Sequence, residues 1–249
     1  MSREHRDFLD TAQLPEETVN EGPFAGARKR VLSHDAETGA ETAVLILDAG
    51  WSSDLRGLAG PLELLALRGE LRLGDAAVPA EGWARAPRAD ALGPLSAVSV
   101  AQAIVMTDPA APVEGEPTIV DVRGAPWLGG VRGGPGGIAV KTLYEGTTVS
   151  LVTANVARYH SGPEFHECPE ELFVIAGDVT GRNGTMTPGS YFWRPEFITH
   201  GPYWSEEGLL TFVRGHGDIY AHWMDNADAT AEENRAYAAA LRAGGGRGA

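Results

Sequence analysis

The chain contains an internal repeat in which the two copies are offset by 108 residues. Segment 61–69 aligns without gaps with segment 169–177, and both follow the pattern P-x-E-L-x4-G. Three further pairs keep the same register: Pro87 and Pro195, Gly93 and Gly201, Pro94 and Pro202. Because several landmarks hold one register over this distance, we expect two domains of similar fold in tandem. The length of 249 residues is sufficient for two ordinary domains.

Each copy has the pattern of short strands separated by turns. Apolar and β-branched segments predict strands at 42–47, 150–156, 172–175 and 209–213, with a further strand at 118–122. The step Asn183-Gly184 favours a tight hairpin. The 32 glycines and 16 prolines also indicate many turns, as in an all-β architecture.

The C-terminal segment has a different pattern. Residues 230–233 read T-A-E-E, which is a capping box, and strong helix formers follow as far as Arg242. Glycines from Gly244 onwards end the run. We therefore expect one short helix there, followed by a tail.

Charge and cysteine content limit the classes of partner and compartment. The formal net charge of -14 would repel phosphate-rich surfaces, so neither nucleic acid nor an anionic membrane is expected as a partner. Residues 1–20 lack the apolar core of a signal peptide, and no segment approaches the length of a membrane span. A single cysteine, Cys168, excludes an internal disulfide framework. These features predict a cytoplasmic protein.

Between residues 158 and 200 the sequence contains His166, Glu170 and His200, together with Gly177 seven residues after the glutamate. This segment resembles the two motifs of the cupin superfamily, because His166, Glu170 and Gly177 match the first motif, G-x5-H-x-H-x3/4-E-x6-G. Arg158 stands in place of its first glycine, and Glu164 stands in place of its first histidine. The segment therefore resembles a cupin in which one of the usual histidines is a glutamate.

The second cupin motif, G-x5-P-x-G-x2-H-x3-N, follows directly. Gly189, Pro195 and His200 match it, whereas Phe197 and Trp204 depart from it. The runs E-E-L-F-V-I-A-G, F-W-R-P and T-H-G-P most resemble bacterial cupins related to the zinc-binding domain of ChrR-type anti-sigma factors.

This resemblance implies an all-β fold of two tandem cupin barrels, each a double-stranded β-helix or jelly roll, with a short C-terminal helix. The expected organisation is a polar arm at 1–24, a degenerate N-terminal barrel without metal ligands at 25–108, a Pro/Gly-rich linker at 109–137, a metal-binding barrel at 138–226, and a helix with a tail at 227–249. Further association into a homodimer through exposed sheet edges is expected.

The resemblance also implies a divalent metal ion bound by His166, Glu170 and His200. Strand alternation would place Glu164 on the same face as His166. Imidazole and carboxylate ligands suit Fe(II), Mn(II), Ni(II) or Zn(II), and no organic cofactor is implied. Glu164 could bind the metal, act as a catalytic base, or hydrogen-bond to a ligand.

The N-terminal copy lacks these polar residues. In the register of the repeat, the four positions are occupied by Arg56, Leu58, Leu62 and Leu92. Unpaired polar groups are costly inside a barrel, so their concerted loss predicts a domain with an apolar interior that is either structural or half of an interface. The loss also suggests that the four residues of the second copy act as one unit.

Three more residues are candidates for the site. His160 could replace Glu164 as a ligand or line the mouth of the barrel. Arg194 could bind the carboxylate of a substrate through a bidentate contact, or form a salt bridge with an acidic residue. Tyr191 is one of several aromatic residues around the second motif, which could line a substrate pocket or belong to the core.

Three classes of function are compatible with such a centre. Two histidines and a carboxylate resemble the centres of cupin dioxygenases acting on small organic acids, diketones or aromatic fragments, and we favour this class. A redox-neutral isomerase, dehydratase or lyase is the first alternative, with Glu164 as base. A non-catalytic cupin that binds zinc or a ligand, related to ChrR-type regulators, is the second. For both enzyme classes the partner is a small-molecule substrate.

Overall fold

The computed structural model describes residues 3–88, 91, 93–130 and 137–244, which divide into two compact units. The first unit comprises Gln13–Ala125 together with the described residues before His5. The second comprises the described residues from Pro126 onwards together with His5–Ala12. The division falls inside segment 109–137, which the sequence predicts to be a linker.

The described residues form mostly short strands. In chain order the first are β1 (Arg6–Asp10), a 3-10 turn (Thr11–Gln13), β2 (Glu17–Thr18), β3 (Arg28–His34), β4 (Glu41–Leu47), β5 (Ser52–Ser53), β6 (Leu62–Arg68), β7 (Leu71–Leu73), β8 (Ala76–Val78), β9 (Gly82–Ala86), β10 (Leu95–Ala97), β11 (Ala101–Thr107) and β12 (Thr118–Asp121). These are followed by β13 (Leu128–Gly129), β14 (Ile138–Glu145), β15 (Val149–Asn155), β16 (Tyr159–His160), β17 (Glu164–Phe165), β18 (Glu170–Gly177), β19 (Val179–Gly181), β20 (Gly184–Met186), β21 (Ser190–Arg194), β22 (Trp204–Ser205), β23 (Leu209–Gly215), β24 (His222–Trp223) and α1 (Ala231–Ala243).

Both units are built from a large and a small antiparallel sheet. The first unit has a seven-stranded sheet in the order β12-β9-β6-β11-β4-β3-β2 and a four-stranded sheet in the order β5-β10-β7-β8. The second has a seven-stranded sheet in the order β1-β21-β18-β23-β15-β14-β13, a four-stranded sheet in the order β16-β22-β19-β20, and the pair β17-β24. The predicted all-β fold of two tandem barrels is confirmed.

The sequence repeat corresponds to a repeat of structure. The central strands β9-β6-β11-β4 of the first unit and β21-β18-β23-β15 of the second follow the same order. The first residue of each strand in one set is 108 positions from the first residue of its counterpart. The predicted hairpin is also present, because β19 and β20 pair at Gly181 and Gly184.

The glycine that ends the repeated pattern, Gly69 or Gly177, allows a close approach between two backbone segments. Both residues adopt a left-handed conformation, with φ of 79° and 80°. A Cβ atom at Gly69 would lie 2.4 Å from the carbonyl oxygen of Val100, and one at Gly177 would lie 1.9 Å from that of Gly208. Val100 and Gly208 are again 108 residues apart, so one packing constraint explains the glycine in both copies.

We expect Gly177→Ala to destabilise the protein far more than Gly22→Ala. Gly22 has a φ of 79° but open space around its Cβ position, so it is a matched control. A left-handed alanine costs about 1–2 kcal/mol in either variant, but only Gly177→Ala adds a backbone clash. Its free energy of unfolding should fall by more than about 3 kcal/mol, measured by urea denaturation. Equal losses in the two variants would contradict the close approach described at Gly177.

The core between the two sheets of the first unit is apolar. Leu62, at the position of one proposed ligand, is 2% exposed and belongs to the core between the sheets. Leu58 packs against the same core, whereas the side chain of Arg56 is in solvent. Leu92 lies outside the described residues. The interpretation of this unit as a domain without bound metal stays a prediction.

Segments predicted as an arm and a linker contribute strands at the edges of the sheets. From residues 1–24, β1 pairs with β21 and β2 pairs with β3. From residues 109–137, β12 pairs with β9 and β13 pairs with β14. Strand β12 lies within the strand that the sequence predicts at 118–122. The sequence analysis does not predict β1, β2 or β13, since edge strands have only one neighbour and tolerate polar side chains. Residues 1–24, predicted as a polar arm, therefore contribute the edge strands β1 and β2.

The C-terminal helix α1 begins as the sequence predicts. The backbone N–H of Glu233 donates to the hydroxyl oxygen of Thr230 at 3.2 Å, and the N–H of Thr230 donates to the carboxylate of Glu233 at 2.7 Å. This reciprocal pair is the predicted capping box. Within the part of the chain that the structure describes, no helix is both long and apolar enough to cross a membrane.

Candidate metal centre

Backbone hydrogen bonds hold the first and last predicted ligands side by side. Glu164, in β17, and His200 form an antiparallel bridge in which each N–H donates to the other residue's carbonyl oxygen at 2.9 Å. The N–H of Phe197 also donates to the carbonyl oxygen of His166 at 2.8 Å. Because the two segments pair along their backbones, the ligand atoms of Glu164, His166 and His200 all lie within 4.8 Å of one another.

Glu170 reaches the same point from a different strand. It begins β18, where it pairs with Arg194 on one side and Gly215 on the other. Its Oε2 atom lies 3.7 Å from Nε2 of His166 and 3.9 Å from Nε2 of His200. Two imidazoles and two carboxylates therefore surround one position.

The two imidazoles direct the same nitrogen atom to this position. Nδ1 of His166 lies 3.0 Å from the carbonyl oxygen of Tyr220, and Nδ1 of His200 lies 3.0 Å from that of Ile198. A carbonyl oxygen only accepts, so Nδ1 carries a proton in both rings, and in the neutral form of each ring the lone pair belongs to Nε2. Metal-binding histidines are commonly oriented in this way, through the hydrogen bond of the other ring nitrogen.

The spacing of the ligand atoms suits a shared cation better than direct hydrogen bonds. Nε2 of His200 lies 3.7 Å from Oε1 of Glu164, similar to its separation from Glu170. Ligands of one divalent ion lie about 3–4 Å apart at metal–ligand distances of about 2.1 Å, whereas hydrogen-bonded atoms lie about 3 Å apart. Oε2 of Glu170 is buried and has no hydrogen-bond partner. Because an unpaired buried carboxylate is costly, a divalent cation fits this donor set.

Burial also changes the protonation of the ligands. It raises the pKa of Glu164 to about 7, against the opposing charges of His166 and Arg194. Burial lowers the pKa of His200 well below its ordinary value, and the positive charge of Arg194 adds to this effect. His200 is therefore neutral at physiological pH, as a ligand must be. Glu164 changes its charge close to neutral pH.

The four side chains line a cavity with a volume of about 130 Å³. One water molecule requires about 10–15 Å³ of space that is open to its centre. The cavity therefore accommodates several waters or one small organic molecule. Its walls are mostly apolar and include Ile138, Leu151, Leu172, Val179, Met186, Phe192, Leu209, Val213 and Ile219. Polar or aromatic residues complete the lining, among them Tyr159, Arg194, Tyr203 and Trp223.

Arg194, the predicted substrate-binding residue, lies in this cavity. Its Nε atom donates to Oδ1 of Asp7 at 2.7 Å, and its Cζ atom lies 3.6 Å from the centre of the Phe192 ring. Its Nη1 atom is buried and has no hydrogen-bond partner. The predicted salt bridge is therefore present, and the binding of a carboxylate stays a prediction.

Two other predicted site residues lie away from the cavity. Tyr191 faces the opposite side of β21 from Arg194 because side chains alternate along a strand, and its hydroxyl donates to Oε2 of Glu171 at 2.8 Å. His160 is exposed, and its ring stacks on that of Trp204 with centroids 6.2 Å apart. Neither Tyr191 nor His160 lines the cavity, since nearness to the motif does not decide which face a side chain occupies. A catalytic role for Tyr191, and a role for His160 as a ligand or at the mouth of the barrel, stay predictions.

The structure adds three residues that sequence reasoning missed. The hydroxyl of Tyr159 and Nε1 of Trp223 are buried at the cavity without a hydrogen-bond partner. Asp7 contacts Arg194 although the two are 187 residues apart in the chain. Strand alternation with the exposed His160 could have indicated Tyr159. No sequence signal points to Asp7, because its partner Arg194 is remote in the chain.

Each unit has an antiparallel jelly-roll fold, and the interior of the second unit contains a His/Glu group that can hold a metal ion. Residues 116–218 match the family of ChrR Cupin-like domains. The resemblance predicted from the two motifs is confirmed. The match includes every proposed metal ligand.

Solved structures share this fold. A Nostoc punctiforme PCC 73102 protein described as a candidate dioxygenase has a TM-score of 0.76 at 17% identity, over 88% of this chain and 87% of that chain. Bacillus subtilis oxalate decarboxylase has a TM-score of 0.61 at 11% identity, over 88% and 80%. A cupin 2 conserved barrel domain protein from Leptotrichia buccalis has a TM-score of 0.59 at 10% identity, over 85% and 97%. These identities establish similarity of fold alone, and no curated protein sequence gives a significant match.

Replacing Glu164 by glutamine should stabilise the metal-free protein at pH 8 and have little effect at pH 4. The carboxyl has a pKa of 4.5 when unperturbed and about 7 in the folded protein. Between these values only the folded form keeps the proton, so the contribution of this group to stability falls as the pH rises. Glutamine avoids the buried charge, and the gain at pH 8 should reach about 3 kcal/mol.

The measurement is thermal unfolding in a chelating buffer at both pH values. Glu206→Gln is the control, because that side chain is 59% exposed. A gain for Glu164→Gln that does not depend on pH would contradict a raised pKa at Glu164.

Proposed function

We propose that this protein is a metal-dependent cupin enzyme that oxidises a small organic substrate with dioxygen. The observation that carries the proposal is the convergence of His166, His200, Glu164 and Glu170 around one buried position beside a cavity. Two imidazoles with carboxylates and open positions are typical of non-haem Fe(II) oxygenases. The candidate dioxygenase from Nostoc punctiforme supports this choice by its similarity of fold.

The roles of the residues follow from their positions. His166 and His200 would hold the ion through Nε2, and Glu170 would hold it through the oxygen that has no other partner. A bound divalent ion would supply Lewis acidity and, as Fe(II), electrons for the reaction with dioxygen. Glu164, with a pKa of about 7, would either complete the ligand set or accept a proton from the substrate.

The apolar cavity supports a small organic molecule as substrate. Its lining is formed by the second barrel itself, so a single chain provides all of the proposed binding groups. Association into a homodimer and location in the cytoplasm stay predictions from the sequence.

A redox-neutral reaction is the second candidate. The fold is also similar to that of oxalate decarboxylases, which are named for a lyase reaction. A glutamate beside the proposed metal position supports this reading, since a lyase or isomerase needs a base there. A zinc-binding cupin without catalytic activity is the third candidate, supported by the match to ChrR Cupin-like domains.

His200→Ala should remove metal binding, whereas His160→Ala should leave it unchanged. His160 lies in the same unit but is exposed and outside the cavity, so it is a matched control. We expect about one divalent ion per chain in wild type and at least a 100-fold loss of affinity in His200→Ala, since even residues that only orient a ligand contribute about 10–100-fold. Elemental analysis and equilibrium dialysis measure both quantities.

Oxygen uptake separates the proposed reaction from its alternatives. Wild type loaded with Fe(II) should consume dioxygen with one or more members of a panel of small diketones and small organic acids, and His200→Ala should not. Tightly bound zinc in the purified protein, with no uptake by the Fe(II)-loaded form, would contradict the oxygenase and favour the other candidates.

A further inference from the structure

We propose that the substrate of the second barrel is a small carboxylic acid with an apolar body, that Arg194 binds its carboxylate, and that Asp7 positions the guanidinium group for this purpose. The inference rests on the proposed function, because it concerns the same cavity. It adds the class of substrate and a positioning residue from the opposite end of the chain.

Arg194 is a buried cation with unused hydrogen-bonding capacity. Its side chain is 3% exposed, so the guanidinium group has lost most of its hydration. Asp7 accepts a hydrogen bond from Nε, yet Nη1 remains buried without a partner. A guanidinium group always carries its charge and forms its strongest contacts with carboxylates. An anionic oxygen of a ligand would satisfy Nη1.

The position of Arg194 would bring a bound carboxylate close to the metal centre. Arg194 on β21 and Glu170 on β18 are directly opposite each other in adjacent strands. Residues paired in this way project from the same face of a sheet, with their Cβ atoms about 5 Å apart. Both line the cavity. An acid held by Arg194 would therefore lie with its adjacent carbon atoms beside the metal-binding groups.

The remaining walls favour an apolar body on that acid. Ile138, Leu151, Leu172, Val213 and Ile219 line the cavity and offer no hydrogen bonds from their side chains. Hydrocarbon surface placed against them would be removed from water, at about 25 cal/mol per Å². The volume of about 130 Å³ limits this body to a few carbon atoms or one ring. A short aliphatic acid or a small aromatic acid fits both the charge and the size.

Asp7 determines where the guanidinium group points. Asp7 lies on β1, which pairs with β21 along the edge of the sheet, so the contact is built into the strand pairing. Its other oxygen accepts from Nδ2 of Asn183 at 3.1 Å and lies 3.0 Å from Nε2 of His5. Burial alone would raise the pKa of Asp7, but His5 and the charge of Arg194 hold it below its ordinary value. Asp7 thus stays ionised at neutral pH and keeps the Nε edge of Arg194 turned away from the ligand.

The test is calorimetric binding of acetate, butanoate and benzoate to the Zn(II)-loaded and the metal-free protein. Each acid is compared with its neutral amide, which has nearly the same shape. We expect butanoate or benzoate to bind wild type at least 10-fold more tightly than its amide. Arg194→Gln should remove this preference, whereas Arg158→Gln should keep it, because the Arg158 side chain is 85% exposed.

Asp7→Asn tests the positioning role. We expect Asp7→Asn to reduce the preference for acid over amide by at least threefold while leaving amide binding unchanged. The variant Asp7→Glu keeps the carboxylate and should therefore retain part of the preference. A merely structural role of Asp7 would weaken acid and amide equally. If Arg194→Gln does not fold, Arg194→Lys should still bind the acid, but at least threefold more weakly than wild type.

Equal binding of acids and amides by wild type would overturn the proposal. An unchanged preference in Arg194→Gln, or unchanged acid affinity in Arg194→Lys, would also overturn it. These results are independent of the proposed reaction, because none of them depends on oxygen uptake. An oxygenase that prefers neutral diketones would retain the proposed function and contradict only this inference.

Discussion

The backbone bridge between Glu164 and His200 is the interaction on which the site depends. It joins the two motif segments by two hydrogen bonds of 2.9 Å, and the bond from Phe197 to His166 continues the same pairing. Side chains from two separate segments of the chain therefore meet at one position. The carbonyl groups behind the two imidazoles then fix which nitrogen faces the cavity. Backbone geometry thus determines how the ligand set is arranged.

The two units share one arrangement of central strands but have different interiors. Their central strands keep the same order and the same offset, and a glycine in each copy permits the same close contact. In the first unit leucine occupies inner positions, so this arrangement is stabilised by apolar burial. In the second, the carboxyl groups of Glu164 and Glu170 and the guanidinium group of Arg194 line the cavity, and the cost of removing them from water must be offset by partners or ligands. The second barrel therefore keeps ionisable groups out of water at its cavity, which is typical of a functional site.

Much of the fold and part of the site could be predicted from the sequence. The repeat at 108 residues and the two motifs depend on local spacing, so they indicated the barrels and the group around His166 and His200. The direction of a side chain on its strand is a weaker signal, because Tyr191 and His160 are close to the motifs in sequence but do not line the cavity. Asp7 could not be found, because the pairing of an N-terminal edge strand with β21 is a long-range contact that leaves no local pattern.

The central claim is that His166, His200 and the two glutamates bind a single divalent ion in the second barrel. Anomalous X-ray diffraction from crystals of the metal-loaded protein tests it most directly, with data collected on both sides of the absorption edge of the metal. We expect one strong anomalous peak within about 2.3 Å of Nε2 of both histidines and of an oxygen of Glu170. A peak elsewhere in the molecule would contradict the account. So would the absence of a peak at the four side chains in crystals grown with saturating metal.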